Sequence, residues 1–212
     1  MGRLQKGILG SFQGKVGTVV GSSWKGIDYM KSASKKTTKP PTDRQVAQRA
    51  KFAFMGNFIT PVSVLLKLAF KESTAKMTEI NSAFRYNIKN AVTGIYPAFA
   101  MDYTKVLLTK GQLHNAINPT ATAIGGGVVD VKWTDNSGIA MSNATDKCII
   151  VVYCPELHSF VYTTGGANRS AGEDKLNVGN FTGKTVQTWV GFISADKREA
   201  ATSIFTGQLV IS

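Results

Sequence analysis

Cysteine and histidine are nearly missing from this chain, with two of each among 212 residues. Cys148 and Cys154 stand six positions apart in the apolar run CIIVVYC, which reads as one strand. A strand rises about 3.3 Å per residue, so the two side chains sit about 20 Å apart on one face, out of disulfide reach. Two free, half-buried thiols are expected, and a reducing compartment fits them. His114 and His158 stand beside no Ser or Cys in a nucleophile pattern, so they are expected at the surface or at strand ends rather than in a hydrolytic site. Asp135-Asn136-Ser137-Gly138 opens like an oxygen-ligand loop but lacks further acids at calcium spacing, and Asp146 is too distant to complete one. A polar turn between strands is expected there, with no metal and no cofactor.

Long apolar runs are also lacking. The longest candidate, Phe52 to Phe70, is broken by Asn57, Pro61 and Lys67, so no membrane span is expected. The opening MGRLQKGILGSFQGKVG has Gly7, Gly10, Gly14 and Gly17 where a secretory segment needs continuous apolar residues. The chain is therefore expected to be made in the cytoplasm without a Sec signal, its final location cytoplasmic or in a virion or extracellular assembly. Lys6 stands where a myristoylation motif needs Ser or Thr. The Asn-x-Ser/Thr triplets at Asn143, Asn168 and Asn180 are then chance occurrences.

Acidic residues are scarce in one half only. Residues 1 to 110 hold 18 basic and 5 acidic residues, net +13, whereas residues 111 to 212 hold 7 and 8, net −1. Such asymmetry marks a segment built to meet something acidic or polyanionic. Lys31, Lys35, Lys36, Lys39, Arg44, Arg49, Arg85 and Lys89 are the candidate contacts with a polyanion or an acidic partner, and Trp24 and Tyr29 could stack on bases. No recognised nucleic-acid motif accompanies them, and a solvated basic face is the plainer alternative. The glycine-rich run ending in Gly14-Lys15 fails the phosphate-loop pattern, because three residues separate Gly10 from Gly14 and Val16 follows the lysine. It fails the dinucleotide fingerprint as well.

What is present is pattern. Glycines alternate with apolar residues through the first 26 positions, a composition that orders best against a partner surface. Residues 15 to 21 and 27 to 33 read as strands joined by a turn at Ser22 to Gly26. Lys35, Lys36, Lys39, Pro40 and Pro41 form a basic linker that stops at proline. Thr42-Asp43 opens a helix over 43 to 59, with Val46, Ala50, Ala53, Phe54 and Phe58 at three- and four-residue spacing. Thr60-Pro61 opens a second helix ending near Lys71, and Thr78-Glu79 a third that stops at Gly94.

Beyond residue 103 the texture becomes strands near 104 to 109, 121 to 133, 147 to 154, 158 to 164, 174 to 178, 184 to 194 and 203 to 211. Seven short strands in about 100 residues suit an immunoglobulin-like or fibronectin type III-like sandwich, with Trp133 and Trp189 as core aromatics. The fold class expected is an α+β N-terminal region, a β-hairpin plus helices over 1 to 102, followed by an all-β sandwich over 103 to 212.

The segments GILGSFQGKVGTVVGSSWKGIDYMKS, PTDRQVAQRAKFA, FRYNIKNAVTGIYPAF, VKWTDNSG, ATDK and WVGFISAD resemble a family of proteins from Bacteroidota catalogued as a domain of unknown function. The resemblance spans nearly the whole chain and implies a two-part protein of this length, with no activity, cofactor or site to transfer. From the residues, the expected function is non-enzymatic: a structural or assembly protein forming a homo-oligomer, filament or virion component. Its N-terminal strands pair with a neighbouring subunit or another assembly protein through Val16, Val19, Val20, Trp24, Ile27 and Tyr29, and the sandwich is displayed. The alternative is a nucleic-acid-binding module using the basic half.

Overall fold

The structure is a computed structural model that describes residues 3–4, 10–24, 26–35, 38–71 and 77–212. The chain divides into two compact units, Met1–Thr42 and Asp43–Ser212. The expected division at 102/103 therefore differs from the one the contacts make, and the helices belong with the sandwich.

Within Met1–Thr42, four antiparallel strands lie in chain order: β1 (Arg3–Leu4), β2 (Phe12–Val16), β3 (Val19–Trp24) and β4 (Ile27–Ser32). Val16 pairs with Val19, so the chain reverses through Gly17 and Thr18, with Gly17 at φ +58°. Trp24 pairs with Ile27, and the second reversal uses Gly26 at φ +80°. Both corrections to the expected hairpin follow from this register. The strand expected over 15 to 21 is cut by a turn, and Ser22, Ser23 and Trp24 are strand rather than loop. A left-handed backbone is open to glycine without strain, which fixes each reversal at its glycine. Lys25, within the expected turn, lies outside the described residues.

The second unit begins with α1 (Asp43–Ile59), a 3-10 turn (Thr60–Val62), α2 (Ser63–Ala69) and α3 (Glu79–Asn90). Asn81 N donates to the Thr78 hydroxyl at 3.3 Å, the N-cap expected from sequence. Helix α3 stops at Asn90, short of Gly94. Gly94 instead lies in a hairpin of β5 (Val92–Ile95) and β6 (Ala98–Met101). The residues expected as a strand over 104 to 109 form a 3-10 turn, Tyr103–Lys105, and an irregular stretch.

Seven strands follow: β7 (Ile117–Ile124), β8 (Val128–Thr134), β9 (Lys147–Cys154), β10 (Ser159–Tyr162), β11 (Glu173–Asn177), β12 (Thr185–Ile193) and β13 (Ile204–Val210). One expected strand, 121 to 133, is two, reversed at Gly125-Gly126-Gly127. The sheets have the orders β11-β8-β7 and β10-β9-β12-β13, three strands facing four in the manner of a fibronectin type III-like sandwich.

Strands β9 and β12 are buried on both faces, which explains why they read as nearly continuous apolar runs. Cys148, Ile150 and Val152 on β9, with Val190 and Phe192 on β12, fill the sandwich interior together with Trp133. Ile149, Val151 and Tyr153, with Trp189, face the other way, into a second core with Met55, Phe58, Leu65, Leu66 and Ala69 of the helices. The helices thus form a third layer over the four-stranded sheet. The helical run Asp43–Ala69 is long and apolar enough to cross a membrane by length and composition, but its apolar face is spent in this core. Both cysteines are free and buried outright, deeper than the half-burial expected.

Candidate interaction surfaces

The N-terminal sheet leaves large apolar side chains in solvent on both faces. Cross-strand partners share a face, so Val20 opposite Lys31, Ser22 opposite Tyr29 and Trp24 opposite Ile27 define one side. Val16 opposite Val19, and Met30 opposite Gly21, define the other. Ile27 is 66% exposed, Met30 71%, Val16 55% and Trp24 49%. The six association residues expected from sequence therefore lie on one sheet but not on one face. Met30, the most exposed of these apolar residues, was not among them. Phe12 covers Gly21 so closely that a Cβ there would collide with its carbonyl oxygen and ring. Among the described residues strand β4 lies at the edge of the sheet, with β3 as its neighbouring strand, and it is exposed along its whole length.

The basic residues are dispersed. Lys31, on β4, Lys35 and Lys39 are exposed in the first unit, and Lys36 lies outside the described residues. In the second unit Arg44 lines an open hollow of about 630 Å³ with Lys51, Ile95, Tyr96 and Phe99. Arg49, exposed on the same helix, does not line it. Arg85 and Lys89 line a different hollow of about 320 Å³ on α3, beside Lys110, whose Nζ lies 5.0 Å from the Tyr86 ring centroid. Lys110 is brought there by backbone bonds that no local pattern signals: Lys71 N donates to Lys110 O at 2.6 Å, and Lys110 N to Ala69 O at 3.0 Å.

A buried charge is the feature that sequence reasoning missed. Arg169 is sealed from solvent. Its Nε donates to Asp146 Oδ2 at 3.1 Å, Nη1 to Asn136 Oδ1 at 2.8 Å and Nη2 to the His114 carbonyl at 3.0 Å. The guanidinium lies 3.9 Å from the Phe192 ring centroid, and Trp133 Nε1 donates to the Arg169 carbonyl at 2.7 Å. Burial lowers the Arg169 pKa while Asp146 pulls it upward, and the guanidinium stays charged. The network ties the 135–146 loop, the segment before β7 and the 3-10 turn Arg169–Ala171 to the sandwich interior. Asp135 accepts from Ser137 N at 2.9 Å, so the Asp135-Asn136 stretch is the polar turn expected. A lone arginine among polar residues gave no periodic signal by which to find it.

Beside this network lies a cleft of about 510 Å³ lined by Asp146, Asp196 and Glu199, with Leu113, Ala140 and Met141 as its apolar wall. Asp196 Oδ1 accepts from the Ser194 hydroxyl at 2.6 Å and from Arg198 N at 3.1 Å, and these bonds, the Ser194 one foremost, lower its pKa. Among the described residues no group of three or more His, Cys, Asp or Glu is placed to hold a metal ion. His114 and His158 are both exposed, the latter with Nδ1 3.4 Å from the Tyr153 hydroxyl.

A helix-covered sandwich with an appended basic sheet is thus the kind of protein this chain forms. Residues 11–207 match the model of the DUF6266 family, a family of unknown function, and the chain belongs to that family. No curated protein matches it. Among solved structures it is similar to the fn3 domain of the human collagen alpha-1(XX) chain, at 12% identity and a TM-score of 0.35, over 47% of this chain and 88% of that one.

Proposed function

We propose that this is a non-enzymatic structural or assembly protein in which the N-terminal sheet mediates subunit association. The unit Asp43–Ser212 is displayed, and the product is a homo-oligomer, filament or virion component. The observation that carries the reading is the exposure of Val16, Trp24, Ile27, Tyr29 and Met30 on both faces of one small sheet. A four-stranded sheet this small buries little of its own apolar surface, and monomeric proteins rarely leave such patches open. Strand β4 adds a sheet edge, and a sheet edge recruits a partner strand through main-chain hydrogen bonds with little demand on sequence. The Bacteroidota source suggested by the N-terminal motif belongs to the same reading and rests on that resemblance alone.

The nucleic-acid alternative draws less support. In the second unit its basic residues are split, Arg44 in one hollow, Arg85 and Lys89 in another and Arg49 in neither, instead of forming one continuous track.

Size-exclusion chromatography with light scattering tests the assembly reading on the full chain. Wild-type protein elutes as a multiple of 22.8 kDa, and Trp24→Ser combined with Ile27→Ser shifts it toward one chain. A wild-type monomer, or a doubly substituted chain of undiminished size, overturns the proposal.

A further inference from the structure

The cleft next to the Asp146–Arg169 pair presents three carboxylates and, among the described residues, no cationic side chain in its lining, although Arg198 Nε lies 3.6 Å from Asp196 Oδ2 beside it. Asp146 is 1% exposed; Oδ2 accepts from Arg169 Nε and from Asn143 N, while Oδ1 is buried and accepts no hydrogen bond from the described residues. Buried carboxylate oxygens are almost always given a donor, so an orphaned one on a residue that borders an open cleft points to a donor that arrives from outside. Glu199 reinforces this. Its backbone N–H donates to the Ser194 hydroxyl and its carbonyl accepts from that hydroxyl, while its carboxylate forms no ion pair among the described residues. Leu113, Ala140 and Met141 supply an apolar wall beside these acids.

We propose that this cleft binds a primary alkylammonium group, its aliphatic stem along Leu113, Ala140 and Met141 and its head between Asp146 Oδ1 and Glu199, with Asp196 at the rim. An ammonium has three donors and no acceptor, which suits Asp146 Oδ1 and the Glu199 carboxylate better than any neutral or anionic head would, Asp146 Oδ2 and Asp196 Oδ2 being already paired with Arg169 and Arg198. Its stem gains from apolar contact while the head stays hydrated at the mouth. The same chemistry has two sources. One is a free diamine. The other rests on the assembly reading: a lysine from the basic segment of a second copy, Lys31 or Lys35, both exposed on a unit rich in positive charge.

Titrating isotope-labelled full chain with 1,5-diaminopentane, followed by amide NMR, tests the site directly. Saturable shifts at Asn143, Asp146 and Glu199 are expected, weakening about tenfold in Asp196→Asn/Glu199→Gln and falling as salt rises. These two side chains are outside the core, so unchanged spectra elsewhere verify that the doubly substituted chain is folded. Absent shifts, or equal binding by that variant, overturn the site. A synthetic peptide of residues 29–42 distinguishes the sources: tighter binding than the diamine supports a second copy, and weaker binding supports a free amine. A chain that is monomeric yet binds the diamine removes the assembly reading and leaves this site. One that self-associates without the shifts does the reverse.

Discussion

Arg169 Nε donates to Asp146 Oδ2 at 3.1 Å with both side chains closed to solvent, which places a full positive charge against the Phe192 ring in the sandwich interior. Desolvating two charges is costly, so the pair adds less by its attraction than it would cost by being broken. Its value is geometric, because the same guanidinium also holds Asn136 and the His114 carbonyl.

Arg169→Met is expected to destabilise the fold by about 3–5 kcal/mol, since Asn136 Oδ1 and the His114 carbonyl lose the guanidinium as donor and the buried Asp146 carboxylate loses its counter-charge, keeping only Asn143 N. The midpoint of urea unfolding measures it. A loss below about 1 kcal/mol, the size of an exposed ion pair, would show that the interior relaxes around the change.

Gly21→Val acts on the first unit alone. The new side chain would collide with the Phe12 carbonyl and ring, and strands β2 and β3 must separate to admit it. Trp24 fluorescence is expected to shift toward that of a fully solvated indole. The main unfolding transition, carried by Asp43–Ser212, is expected to move by no more than about 0.5 kcal/mol. A fall in that transition as large as a core substitution causes would contradict the division at Thr42.

Cys148 is held neutral by burial, which raises its pKa far above the ordinary 9.0, and burial pushes Tyr153 up to about 12 from 10.0. Both groups bind protons more tightly folded than unfolded. Their contribution is complete below the unfolded values and declines as pH rises past them, because the unfolded chain then releases protons that the folded chain retains. Stability is expected to fall from about pH 9 upward, with no thiol reactivity toward a disulfide reagent until the chain unfolds. Rapid labelling of native protein at pH 8, or stability flat from pH 8 to 11, would contradict this.

Several elements are legible in the sequence alone. Helix α1 begins after Pro41 and carries apolar residues at helical spacing, and its bounds, Asp43–Ile59, are those the sequence indicates. Strands β9 and β12 announce themselves as apolar runs bounded by polar turns. The hairpin β5–β6 was not legible, because VTGI and AFAM are four-residue strands that local pattern does not separate from the end of a helix. Within 121 to 133 three glycines reverse the chain, although a single long strand was the simpler reading.

Much of the local order in this protein is a matter of its sequence: where the helices and most of the sandwich strands run, that the thiols are unpaired, and that positive charge gathers in the first half. These follow from turn chemistry, side-chain period and spacing, which act over a few residues. Only the tertiary structure decided that the helices form a third layer against Trp189 and belong to the sandwich. It alone brought Arg169, 23 residues beyond Asp146, into one buried pair. It also set Asp146 beside Glu199 in a cleft. Such placements depend on which faces of distant elements meet to exclude water, and nothing local in the chain encodes that choice.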